Sequence, residues 1–405
     1  MIICPPEKCT GCMACMNICS SNAISSNQDE KGFYIPLIDD EKCIDCGLCK
    51  KICPVLKGVR YYPKKDSVLA AWAKEEDIRK SSSSGGVFPV LAKYIVQQGG
   101  TVYGAALDEV LTVKHISCEN EKQLGKLQGS KYVQSNIGYI YRDVKKKLDT
   151  GKKVLFSGTS CQIAGLNAYI KAPHNNLFTI DVLCHGVPSP LYFSDYMKYV
   201  QEKEGKRIKH IFFKYKKPSW SFYSMRIIFQ DGTEYIKSAY DDPYLCAFLK
   251  NYITRECCQE CSYACGQRVA DITIADFWGY VSEKRSQKDT DEGISFVIVS
   301  SEKGQKLLDG VSQSFITIKK SMKEAQEGNR GMTRPHQLNE GYHTFWEEYI
   351  KRRDFEWSIE RIGKRTASKK NKVRKWIDGH HYLLPDFAAR FYDRMKSSYI
   401  SNKNN

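Results

Sequence analysis

The chain has 405 residues, 42% hydrophobic and 27% charged, a balance that excludes wholesale disorder and predicts two or three domains. No apolar run approaches the roughly 18 residues that a membrane span needs, and the start, Met1 to Ile3 followed by Cys4-Pro5-Pro6, lacks a secretory signal, so the cytoplasm is the expected compartment. Seventeen cysteines, an odd number in a long chain of net charge +16, point to metal or redox chemistry rather than to a disulfide framework.

The first sixty residues carry the strongest signal. Cys9, Cys12, Cys15 and Cys19 are spaced C-x2-C-x2-C-x3-C, and Cys43, Cys46, Cys49 and Cys53 repeat the spacing before Pro54. Glu7-Lys8 matches Glu41-Lys42 and Ile18 matches Ile52 at the same offset, which marks an internal duplication. Structural zinc takes paired C-x2-C knuckles across a longer loop; three thiolates two residues apart instead wrap one face of a cubane and send the fourth toward a second cluster. The pattern resembles that of bacterial dicluster ferredoxins. That resemblance implies one [4Fe-4S] cluster on Cys9, Cys12, Cys15 and Cys53 and another on Cys43, Cys46, Cys49 and Cys19. Cys4 falls outside both runs and reads as a bystander. Lys57 to Lys65, with Tyr61, Tyr62 and Pro63, reads as a linker.

Downstream, Ser67–Ala73 and Gly100–Ala106 read as buried strands. Between them Ser81–Ser84, Gly85 and Gly86 lead into an apolar helical stretch, Val87 to Gln97. Such a loop either presents bare N–H groups to a phosphate or simply links and caps the helix. Gly129-Ser130-Lys131-Tyr132 offers a cation and an aromatic face, or an ordinary loop. The clearest strand–loop–helix is Lys153–Phe156, then Ser157-Gly158-Thr159-Ser160-Cys161-Gln162, then Ile163–Ile170, the usual α/β location for a ligand. Cys161 there is a nucleophile, a cluster ligand or a buried hydrophobe. The strand Leu177–Leu183 ends in Cys184-His185-Gly186, where His185 is a proton donor or a structural histidine. Ile208–Lys214 and Ser224–Ile236, turning at Asp231-Gly232, predict a hairpin-bearing sheet. Four cysteines then crowd into nine residues, Cys257, Cys258, Cys261 and Cys265, and a strand Asp271–Ala275 leads into Asp276-Phe277-Trp278-Gly279. Cys258 and Cys261 are two ligands short of a cubane; Cys161 and Cys184, both at strand ends, are the candidates to complete it.

The ordered set Ser83–Gly86, Gly129–Tyr132, Gly158–Gln162, Asp181–Gly186, Cys258-x2-Cys261 and Asp271–Gly279 resembles the coenzyme F-420 hydrogenase/dehydrogenase beta-subunit family from about residue 67 to 300. Ser160 stands where that family commonly has proline, and Cys257 and Cys265 are extra. The resemblance implies an iron–sulfur flavoprotein oxidoreductase. It would pass electrons between a ferredoxin-type donor, [4Fe-4S] clusters and FAD to a hydride-accepting substrate. Its alternative is a non-catalytic electron-transfer subunit of a larger oxidoreductase complex. Site residues expected on this basis are Cys161, Cys184, Cys258 and Cys261 for a third cluster. Ser84, Gly85, Gly86, Lys131, Ser157, Gly158 and Thr159 are expected at the flavin, and His185 and Asp276 near the reacting centre.

Ile294–Ser300 reads as a final strand and Ser301–Leu308 as a helix. Trp346–Ile350 and Phe387–Met395 carry apolar residues at helical spacing. Residues 351–405 hold fifteen Lys/Arg against six Asp/Glu, whereas residues 1–60 hold seven of each. This basic tail suits an acidic electron carrier, a partner subunit or an anionic membrane surface; no nucleic-acid partner is expected. The expected fold class is mixed α/β (α+β): a ferredoxin-like dicluster module over 1–60, an α/β flavoprotein domain over 67–322, and a basic helical tail over 323–405.

Overall fold

A computed structural model describes residues 2–65, 67–171, 173–280 and 292–365. In the N-terminal module the first cysteine run wraps helix α1 (Ala14–Ile18), and an antiparallel hairpin follows, β1 (Ile24–Gln28) and β2 (Tyr34–Ile38). The second run wraps helix α2 (Leu48–Ile52). Met13 and Gly47, each the residue just before its helix, adopt left-handed backbone at φ +58 and +68, which turns the loop tightly enough to bring its thiols to one side.

The larger part is a mixed eight-stranded sheet. Its parts in chain order are β3 (Ser67–Ala73), α3 (Val87–Gln97), β4 (Thr101–Leu107), β5 (Val113–Cys118), α4 (Ile140–Asp149), β6 (Val154–Thr159), α5 (Ser160–Ile170) and β7 (Leu177–Val182). An insertion follows: α6 (Pro190–Glu204), a three-stranded antiparallel sheet β8 (Ile208–Tyr215), β9 (Ser224–Phe229) and β10 (Glu234–Ser238), and α7 (Pro243–Leu249). The chain then returns with β11 (Ile272–Asp276), β12 (Ser295–Val299), α8 (Glu302–Asp309) and β13 (Phe315–Ser321). The strand order is β13-β3-β12-β11-β7-β6-β4-β5. The four central strands β11, β7, β6 and β4 run parallel and the outer ones antiparallel.

Side-chain alternation assigns the two faces. On β4 and β6, Val102 and Leu155 join the layer under α3 and α8, whereas Tyr103, Val154 and Phe156 join the layer under α4 and α5. The dicluster module packs on the outside of that second layer. Ile3, Cys12, Met13, Ala14 and Met16 share one apolar cluster with Tyr141, Ile163, Leu166 and Tyr263. Two cations fasten the join. Arg142 donates to the carbonyls of Met16, Asn17 and Cys19 at the end of α1, where a helix terminus favours positive charge. Arg255, 4% exposed, donates to the carbonyls of Cys9 and Tyr34.

Two expectations are corrected. The presumed linker is pinned, with Tyr61 Oη donating to the Ser262 carbonyl and Tyr62 Oη to Asp271. The presumed tail from residue 323 is packed structure as far as residue 365. Helices α9 (Tyr342–Arg352) and α10 (Phe355–Ile362) send Tyr342, Phe345, Trp346, Tyr349, Phe355 and Ile362 into the aromatic core of the insertion, against Tyr192, Tyr196 and Tyr244. Aromatic side chains bury the largest areas per residue, so these helices are part of the body. The expected helix at Phe387–Met395 and the rest of the basic tail lie outside the described residues. No helix among the described residues is long and apolar enough to cross a membrane.

Candidate functional site

Three sets of thiols lie in sequence from the surface inward. In the outermost, Cys46 is exposed and Cys43 and Cys49 are half-buried; burial raises the Cys49 thiol, and Cys43 and Cys46 add to the rise. Cys19 ends α1, with its sulfur 3.5 Å from Ser21 Oγ.

In the middle set Cys9, Cys12, Cys15 and Cys53 are all buried. Burial pushes Cys12 up to about 12, and Cys9 and Cys53 both act on it. Cys4 belongs here as well. Its thiol hydrogen-bonds to Cys53 and Cys9, which raises Cys4 and lowers both partners, so Cys4 lies against the middle set.

The innermost set joins Cys161, Cys184, Cys258 and Cys261. Burial raises the Cys161 thiol, and Cys261, Cys184 and the middle set's Cys12 add to it. Cys184 feels Cys261, and Cys258 feels Cys184. The two extra cysteines separate in space. Cys257 hydrogen-bonds to Cys258 and feels both Arg255 and Cys9, whereas the Cys265 thiol turns to the carbonyls of Ser262 and Gln267. Among the described residues no three such side chains close to the spacing of a single metal ion. Thiols gathered by C-x2-C-x2-C loops are the donor chemistry of four-iron clusters, which fits the outer and middle sets, and the four thiols of the inner set offer the same donor type.

Beside the inner set, at the carboxyl ends of β6, β7 and β11, lies a cavity of about 660 Å³. That is where open α/β sheets bind ligands. Cys184 lines it, as do Ser84, Gly86, Lys131, Ser157, Gly158, Thr159, His185 and Asp276. Gly85 does not. Its N–H donates to Ser295 Oγ, and a Cβ there would meet the Ala71 carbonyl at 2.3 Å, so it serves close packing on β3 and β12 rather than a ligand.

The N-terminus of α3 faces the cavity through Gly86, Val87 and Phe88. Gly86 is in left-handed backbone and no side chain caps the helix, so its first N–H groups are unclaimed. Two further donors on residues lining the cavity are orphaned: Ser84 Oγ and Arg330 Nε are buried without a hydrogen-bond partner. The N-terminus of α5 differs. Thr159 and Gln162 form a capping box, in which the Thr159 side chain accepts from the Gln162 N–H and the Gln162 side chain accepts from the Thr159 N–H. Lys131 differs too. Its ammonium donates to the carbonyls of Lys126 and Gln128 at 3.0 and 2.8 Å, and burial lowers it to about 7. The cation expected at Lys131 is held by its own loop, and an orphaned cationic donor on the lining is Arg330 Nε.

Trp278 and Asp276 also line the cavity and are backed by Trp220 and Lys214. Trp278 stacks on Trp220 at 4.6 Å, and the buried Lys214 ammonium lies 4.5 Å over the Trp278 ring. Lys214 pairs with Asp276 at 2.5 Å, and Trp220 Nε1 donates to the same carboxylate at 2.7 Å, which holds Asp276 as an oriented anion.

Burial, with the His336 ring tilted against it at 3.7 Å, lowers His185 to about 3, and its Nε2 meets Asn251 Oδ1 at 2.9 Å. It lines the cavity beside Cys184. Sequence reasoning missed His115, Lys214, Arg330 and Arg255. Of these His115 had a local signal, a histidine alternating with Val113 and Ser117 along a strand.

Residues 151–324 match the family model for the C terminus of the beta subunit in coenzyme F420 hydrogenase/dehydrogenase, and residues 8–56 match the 4Fe-4S dicluster domain. The coenzyme F420-dependent sulfite reductase of Methanocaldococcus jannaschii is 24% identical over 194 residues, which are 47% of this chain and 29% of that protein, so the match spans under a third of that relative. A chain from the xenon-derivatized F420-reducing [NiFe] hydrogenase complex of Methanosarcina barkeri aligns over 75% of this chain and 93% of its own, at 17% identity and a TM-score of 0.44. The chain thus carries a 4Fe-4S dicluster domain over residues 8–56 ahead of a region, 151–324, that is similar to the C-terminal domain of the coenzyme F420 hydrogenase/dehydrogenase beta subunit.

Proposed function

We propose that the chain holds three [4Fe-4S] clusters and one FAD, and moves electrons between a one-electron carrier and a hydride-exchanging substrate. The outer set receives electrons from a ferredoxin-type carrier or a partner subunit. The inner set on Cys161, Cys184, Cys258 and Cys261 is the last station before the flavin. Bound FAD supplies the conversion between single electrons and hydride.

The observation that carries this reading is the cavity that shares Cys184 with the inner thiols. Its volume is in the range of cofactor pockets. The unclaimed N–H groups of α3, Ser84 Oγ and Arg330 Nε suit a pyrophosphate, and Trp278 with Tyr223 suits a planar ring. A pure electron-transfer subunit would need the thiol sets and not the cavity. The name of the Methanocaldococcus relative makes a deazaflavin coenzyme the proposed hydride partner.

Anaerobic purification with iron, sulfide and flavin assays tests this. The expected yield is about twelve iron per chain, four for each cluster, and FAD in equal amount to protein. About eight iron would remove the inner cluster. Protein that stays free of flavin after reconstitution with FAD would remove the catalytic reading. Arg330→Gln is expected to weaken FAD binding about 10- to 100-fold, the worth of a hydrogen bond to a charged group.

A further inference from the structure

Helix α5 carries a glycine in its interior, Gly165, buried and flanked by Ala164 and Leu166. Glycine is the poorest helix former after proline, so its place there calls for a packing reason. The reason is the dicluster module. A Cβ at Gly165 would stand 2.9 Å from Cys12 Cβ, 3.0 Å from Cys12 Sγ and 3.2 Å from Tyr141 Oη. Neither Cys12 atom is the loose end of a long side chain, so the module cannot give way cheaply. Cys161 lies one turn earlier on the same helix face, about 6 Å along the axis. The backbone of α5 at Gly165 thus touches a thiol of the middle set, while its first turn holds a thiol of the inner set.

The surroundings agree. Tyr141 Oη donates to the Gln162 carbonyl at 2.8 Å within this same turn. Tyr141 and Tyr263 are buried in the same apolar cluster as Cys12, and Cys161 packs against that cluster. The gap is therefore filled by two buried tyrosines and one bare helix face.

We propose that Gly165 is a positioning residue that sets the spacing between the middle and inner thiol sets, and that the 161–165 face of α5 is the route by which electrons cross from the dicluster module to the flavin cavity. The inference rests on the cluster assignment above. Each crossing moves one electron. The middle set's cluster is oxidised by one equivalent and the inner set's cluster is reduced by one, with no bond made or broken and no proton moved. The electron comes from an external one-electron reductant, dithionite in the test below.

The test compares full-length, anaerobically purified wild type with Gly165→Ala. Iron, sulfide and flavin contents report the cluster assignment separately: a wild type with too little iron for an inner cluster fails that reading, whatever the spacing. With iron complete, the spacing is read by electron paramagnetic resonance of partly reduced protein and by freeze-quenched reduction with dithionite. The expected result for Gly165→Ala is retained iron, loss of the magnetic interaction between the middle and inner clusters, and slower reduction of the inner one. Wild-type interaction and wild-type rate in the variant would overturn the proposal. If the variant loses iron, wild type alone decides. Magnetic interaction of the inner cluster with the middle one supports the proposal, and its absence in iron-complete wild type overturns it.

Discussion

His115 sits on β5 with both ring nitrogens engaged, Nδ1 with Ser135 Oγ at 2.7 Å and Nε2 with the Ser157 carbonyl at 3.0 Å. Its ring lies flat on Phe156 at 5.2 Å. Burial lowers it to about 4, and the nearby Lys131 adds to the fall. The folded state therefore refuses a proton that the unfolded chain accepts below its ordinary value near 6.5. Stability contributed by this group is complete above that value and is lost as pH falls toward 4. Between about pH 7 and pH 5 the loss is about 2 kcal/mol from this one group. Urea titrations followed by tryptophan fluorescence should show the midpoint falling over that interval. In His115→Gln the fall should be shallower by that amount, and an unchanged slope would show that His115 is protonated or exposed.

At the scale of elements, the loop 256–265 sorts its four cysteines by direction. Cys258 and Cys261 both interact with Cys184, Cys257 hydrogen-bonds to Cys258, and the Cys265 thiol faces the carbonyls of Ser262 and Gln267. Cys258→Ser should remove about four iron per chain, one cluster, and leave the dicluster module's signals intact; Cys265→Ser should leave the iron count unchanged. A loss of iron in Cys265→Ser would reassign the loop.

The cysteine runs were legible in the sequence because a cluster fixes its ligand spacing locally. The central strands were legible for a similar reason: Val154–Thr159 and Leu177–Val182 lie between covered faces and read as short apolar runs. The edge strands were not. Val113–Cys118 and Phe315–Ser321 mix exposed Lys and Ser with apolar residues, and only their pairing with β4 and β3 makes them strands. The cavity was half legible. The loops after β6 and β7 announced themselves, but Arg330 reaches the wall from a segment of no local pattern, and Lys131 is turned aside by two carbonyls of its own loop.

For the whole molecule, the packed body reaches at least residue 365. Arg365 lines the cavity and its N–H donates to the Tyr240 carbonyl, while Phe355 and Ile362 are buried in the aromatic core. Removing residues 366–405 should leave iron and flavin contents unchanged and slow reduction by an acidic carrier, most at low salt, because steering by charge is screened. Removing residues 356–405 should also cost stability, about 2 kcal/mol or more for each large apolar side chain withdrawn from the core, and lower flavin retention. Equal behaviour of the two truncations would place residues 356–365 outside the body.

The apolar side of the first cysteine loop is closed by residues made much later. Cys12, Met13 and Met16 lie against Leu166, Tyr263 and Ala270. A ribosome adding about 5–20 residues per second leaves that side bare for about 10–50 s before its cover emerges. Metal capture and folding are one equilibrium in such sites. During that interval the nascent module holds reduced thiols, or a freshly inserted cluster, open to solvent and to dioxygen. The vulnerable moment of this protein is thus its synthesis, and the yield of complete clusters should depend on how anaerobic the cell is while the chain is being made.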